Sequence, residues 1–181
     1  KKTMLKIAHL FERLCVYAAR LAGILLLALT AVVLYDVIGR QFFNTGSVAL
    51  SELQWHIHGA IALLAFGYAY TRDAHVRIDV LSQNFSSRFK ARLEILGIAL
   101  FLTPFLLVVI WYGIDFAERS FSRGERSPVS LGLTHRWIIK SVVPLSALIA
   151  LMGAWSVLLR IVAHLRGELD EPFVREGLWK S

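Results

Sequence analysis

Four stretches free of Asp, Glu, Lys and Arg punctuate this chain of 181 residues: Leu21–Tyr35, Leu53–Thr71, Ile95–Ile114 and Ser141–Leu159. A helix of about 20 apolar residues is long enough to cross the hydrocarbon core of a bilayer. The first run is shorter, but its apolar character continues past Asp36 through Val37, Ile38 and Gly39, so it too reads as a span. A soluble domain of this length cannot hide 56% hydrophobic residues with only 18% charged ones and a mean hydropathy of +0.59. The expected fold is an all-α membrane protein with four transmembrane helices in a single domain, the spans covering about 17–39, 52–71, 94–116 and 137–160.

The junctions between these runs supply the rest of the topology. Lys1, Lys2, Lys6, Arg13 and Arg20 precede the first run, a pattern shared with secretory signals, but no small-x-small cleavage site follows and the apolar run is too persistent. The first residue is Lys and not Met, which is compatible with residues upstream. Asn44, Thr45 and Gly46 signal a turn, so the first two spans form a tight hairpin, with Phe42 and Phe43 suited to an interface. From Ser82 to Leu93, Phe85, Phe89 and Leu93 recur at helical spacing among Arg88, Lys90 and Arg92, which predicts a short interfacial amphipathic helix over 82–93. Pro104 is expected to kink the third span, and Pro144 to sit in the first turn of the fourth. The tail, 161–181, is polar and near neutral. Sorting Lys and Arg by side places 14 of the 20 with the two termini and the loop after span two, which predicts a cytoplasmic location for all three. The net charge of +7 is explained the same way, and no nucleic-acid partner is expected.

Chemistry is sparse along the chain. Cys15 is the sole cysteine, so no internal disulfide can form. His56, His58, His75 and His135 are the candidate ligands for a haem between helices, the alternative reading of the chain as a four-helix electron carrier. Against that reading, His56 and His58 lie about 200° apart on a helix, so at most one faces a given partner. No metal, no cofactor and no catalytic residue are expected. Asp36, Glu52 and Lys140 are the ionisable residues closest to the spans, each near an end where anchoring or pairing between subunits is the plainer role. Gly59, Ala60, Ala62, Ala65, Gly67 and Ala69 give the second span many small residues, which let another helix approach closely.

One segment is more specific. Gly39-Arg40 closes the first span, Ser51-Glu52 opens the second, and Arg72-Asp73-Ala74-His75-Val76-Arg77-Ile78-Asp79 follows it. With the four-span layout, this series resembles the small membrane subunit of tripartite ATP-independent periplasmic (TRAP) transporters, the DctQ type. The resemblance implies a non-enzymatic subunit of a bacterial inner-membrane complex, bound to a large membrane subunit that moves organic acids, usually with sodium, together with a periplasmic substrate-binding protein. In that setting Arg40, Glu52, Arg72, His75, Arg77 and Asp79 are the candidate structural or assembly residues, although the same charges would serve a solvated loop that only sets topology. The loop 120–135 would face the periplasm, where Arg123, Glu125 and Arg126 are candidate contacts for the binding protein. The basic loops suit anionic lipids. No substrate-binding residue is expected in this chain.

Overall fold

The computed structural model describes residues 2–72 and 86–167. Among them there is no strand, and the order is α1 (Lys2–Phe43), α2 (Val48–Thr71), α3 (Ser87–Leu96), a π-helical stretch (Gly97–Leu102), α4 (Thr103–Ser122) and α5 (Trp137–Leu165). Each break has a local cause. Asn44 adopts a left-handed backbone (φ 52°) just past α1, and Ser47 caps α2 by accepting from the Leu50 N–H. At the end of α4, Gly124 (φ 56°) donates to the Phe121 carbonyl and Glu125 to the Ser120 carbonyl, which satisfies two of the last free carbonyls of the helix.

The α3 segment differs from the separate helix expected over 82–93. It starts at Ser87, capped by Ser86, and runs without a turn into the π-helical stretch and α4, because no breaker lies between Leu93 and Gly97 and Gly97 keeps a helical backbone (φ −58°). Its packed side is Ala91 and Ile95 against Ile161, whereas Phe89 and Leu93 face outward. The expected disturbance at Pro104 takes the form of that π-helical stretch. A proline ring collides with the carbonyl four residues back, and widening the preceding turn, with the Thr103 N–H reaching the Ile98 carbonyl, makes the room. Pro144 lies in the interior of α5 rather than in its first turn, since α5 already begins at Trp137. Its ring packs against Gly113, where a Cβ would come within 3.1 Å of Pro144 Cδ.

The helix α5 is the centre of the assembly. α1, α2 and α5 each touch the other two, while α4 packs on α5 and on neither α1 nor α2. Cys15 of α1, Gly67 of α2 and Gly153 of α5 meet at one crossing, where a Cβ on Gly153 would lie 2.7 Å from the Gly67 carbonyl oxygen. Only a glycine allows the two backbones to come this close. α2 and α5 run parallel; α1 and α4 run antiparallel to α5. The helices α1, α3–α4 and α5 are long and apolar enough to cross a membrane. α2, at 24 residues, falls short in apolar character because Gln54, His56 and His58 occupy its first half. Only 11% of the most apolar part of α1 and of α3–α4 is buried, against 44% in α5. Much apolar side-chain surface on both flanks of α5 is therefore uncovered by protein.

Candidate functional site

Two groups of polar residues sit at opposite ends of the helices. The first is where α1 ends and α2 begins. Asp36 is 1% exposed and takes up two donors on one oxygen, Arg40 one turn further along α1 and Gln54 Nε2 of α2 at 2.9 Å. Its other oxygen, Oδ1, has no protein partner among the described residues. Two residues before Gln54, Glu52 catches the loop between α4 and α5. Glu52 Oε1 accepts from the Ser127 hydroxyl, and Oε2 accepts from the Leu133 N–H at 2.7 Å.

That loop, 123–136, is folded tightly for a connector of its length. Ser127 N–H donates to the Leu133 carbonyl and Arg136 N–H to the Glu125 carbonyl. Leu131 and His135 adopt left-handed backbone (φ 66° and 63°), a conformation that side-chain-bearing residues keep only when their surroundings hold them. Glu52 is one such hold. A Cβ on Gly132 would stand 2.9 Å from Glu52 Oε2, so the carboxylate is enclosed by the loop it binds. Glu125 turns inward to the Lys140 ammonium, which stands 4.0 Å above the Phe116 ring, and this ion pair holds the Glu125 carboxyl below the usual carboxylate range. Phe121 and Trp137 close the base of the loop edge to face at 5.3 Å.

The second group is at the other end, one α2 length away, or about 30 Å from Glu52 to Arg72. Here Arg160 of α5 pairs with Glu12 of α1 and lies 3.3 Å from His9 Nδ1, and the Ser156 hydroxyl donates to the Ala8 carbonyl at 2.8 Å. Arg72 caps the end of α2 with its guanidinium 5.3 Å over the Tyr68 ring.

The structure thus brings Arg40, Glu52 and Glu125 to one end and leaves Arg72 at the other. His75, Arg77 and Asp79 lie outside the described residues. Arg123 and Arg126 are exposed on the loop, whereas Glu125 is committed to Lys140. His56 Nδ1 faces the Glu52 carbonyl, His135 contacts the Thr134 hydroxyl, and His58 is exposed. Residues that reading the sequence did not single out carry much of this site. Gln54 and Ser127 are ordinary polar residues, and Leu133 contributes only its backbone, so none leaves a chemical signature. Glu12 and Arg160 are 148 residues apart in the chain but pair in space.

A family model described as tripartite ATP-independent periplasmic transporters, DctQ component, matches residues 29–167. The chain belongs to this family. No curated protein matches it. The matched stretch takes in the last third of α1, all of α2 to α5 and both Glu52 and its loop, while the packed residues Ala8, Cys15, Ala18 and Ala22 of α1 precede it. As a DctQ component the chain is the small membrane subunit of a TRAP transporter, a membrane protein and part of a multi-subunit transport system. Lys6, Arg13 and Arg20 precede the matched residues.

Proposed function

We propose that this DctQ component is a non-catalytic scaffold in a bacterial inner membrane, seated beside the large membrane subunit and serving sodium-coupled, binding-protein-dependent uptake of organic acids. In this reading α2 is a fourth span alongside the three more apolar helices. Its 24 residues reach about 36 Å, enough for a bilayer core, and it runs parallel to α5, as the single α3–α4 crossing between them would require. Both termini then lie in the cytoplasm with the majority of Lys and Arg, and 123–136 lies in the periplasm.

The observation that carries the scaffold role is the placement of charge against bare apolar surface. The ionic contacts described above gather at the helix ends, while α1, the π-helical stretch and α4 present Ile24, Leu27, Phe101, Phe105 and Trp111 uncovered by their own chain. A helix pair that moved substrate would instead need polar groups at mid-depth. One uncovered flank would take the large subunit and the other lipid. Facing outward, Arg123 and Arg126 would offer two positive charges to an acidic patch on the binding protein. The basic cytoplasmic end would lie among anionic lipids.

Extraction from the native membrane with a tag on this chain tests the proposal. A large multi-span protein should co-purify and be identified by mass, and deleting this chain should abolish uptake by the system. Extraction of the tagged chain alone, with uptake intact in its absence, would rule the proposal out.

A further inference from the structure

The amino half of α1 carries a feature with no part in the packing. Lys6, Arg13 and Arg20 recur every seven residues, with His9 and Tyr17 on the turns between, so they share one face over about 21 Å. The buried face of the same segment is made of Ala8, Cys15, Ala18 and Ala22, and Arg13 and Arg20 are exposed. Arg72, from the end of α2, closes the side of this ladder and forms a groove of about 350 Å³ with Arg13, Tyr17 and Arg20. A second recess lined by Lys6, His9 and Arg13 continues it along α1.

Among the described residues the charge in the groove is unbalanced. Glu12 is the lining carboxylate, and Arg160 already occupies it. Among the described residues no carboxylate pairs with Arg13, Arg20 or Arg72. Aromatic rings hold two of these heads in place, Arg20 at 5.8 Å over Tyr17 and Arg72 at 5.3 Å over Tyr68, and a ring contact leaves the N–H edges of a guanidinium free. Three guanidinium groups around one recess repel each other until an anion joins them, and their forked donors match the oxygens of a phosphate.

The same face also says which phosphate. Beyond Arg20 the stripe turns apolar, with Ile24 and Leu27 at 64% and 72% exposure. Helical side chains lean toward the amino end, so Arg20 reaches back over Tyr17 to the headgroup level while the apolar residues continue into the core. Cations above and exposed aliphatic side chains below fit a molecule with an anionic head and acyl tails.

We infer that the groove between α1 and the end of α2 is a binding site for the phosphate headgroup of an anionic glycerophospholipid of the cytoplasmic leaflet. Arg13, Arg20 and Arg72 hold the phosphate, and Ile24 and Leu27 line the path of the chains. This narrows the lipid part of the proposed function to one site and rests on its orientation, but not on the transport role. A transporter without this lipid preference would still co-purify with its large subunit.

The test is native mass spectrometry of the full chain, in the complex in which it is extracted, after exchange with phosphatidylglycerol or phosphatidylcholine. Wild type should retain phosphatidylglycerol about tenfold more than phosphatidylcholine. Arg13→Gln/Arg20→Gln/Arg72→Gln should lose that preference, Arg20→Gln alone should lose part of it, and Arg119→Gln at the far end should keep it. Equal retention of the two lipids by wild type, or an undiminished preference in both Arg20→Gln and the triple variant, would overturn the site. Displacement of phosphatidylglycerol by millimolar inorganic phosphate would overturn the lipid assignment.

Discussion

The two ends of this molecule handle charge in opposite ways. Where α1 meets α2, Asp36, Glu52 and Glu125 each find partners within the chain, and the loop 123–136 is drawn down onto them. At the other end Arg13, Arg20 and Arg72 surround a groove whose one lining carboxylate among the described residues, Glu12, is already paired with Arg160. Both ends contain the same residue types. The difference is whether the chain folds back to complete the site itself or leaves completion to something outside, and it separates a role in holding shape from a role in binding.

Substitutions can break or sharpen this contrast. The largest effect should come from the seam just inside the open end. Gly153→Val forces α2 and α5 apart at a backbone contact with no slack, and should cost about 3 kcal/mol, or roughly 9 °C in the unfolding midpoint in detergent. A neutral result would mean that the crossing is looser than described. Next is the closed end, where Arg40→Ala leaves the buried Asp36 with Gln54 as its one remaining donor among the described residues. A drop of about 5 °C is expected, and a stable variant would show that the pair is ornamental.

Glu52→Gln keeps the shape but weakens both hydrogen bonds to the loop, so a drop of about 3 °C is expected, together with protease cleavage within 123–136. Glu125 adds a dependence on pH. Its folded carboxyl titrates below the ordinary 4.5, so the stability it contributes is present above that value and is lost as pH falls through the lower, folded one. Glu125→Gln should flatten the acid side of the stability profile, and an unchanged slope would exclude the pair as its source. At the open end, Arg13→Gln/Arg20→Gln/Arg72→Gln should shift the midpoint by only about 2 °C in zwitterionic detergent, since it removes the ring contacts of Arg20 and Arg72 but no ion pair among the described residues. A large loss there would erase the contrast.

Much of the helical layout is legible in the chain because absence of charge over a span is a one-dimensional property. The uncharged runs fall within helices, although α1 begins at Lys2, well before its run at Leu21, and the turn at Asn44 follows from its own preference for left-handed backbone. The small residues of α2 foreshadow a close approach, yet Gly153 is invisible as the partner because it depends on how α5 is rotated. Continuity is equally hard to read. Phe89, Leu93 and their basic neighbours look like a surface helix, but whether it ends depends on a breaker after Leu93, and none is present. The closed end rests on contacts across 75 and 81 residues, one of them to a backbone N–H, so local pattern carries no trace of it.

If the closed end gives the molecule a fixed shape, that shape should persist while the transporter works. Spin labels at Ser130 on the loop and at Phe43 at the end of α1, both exposed, report the distance across it. In the assembled transporter that distance should be the same with and without substrate-loaded binding protein. A shift beyond the spread of the labels between the two conditions would contradict the account, because the DctQ component would then be a moving part of the cycle.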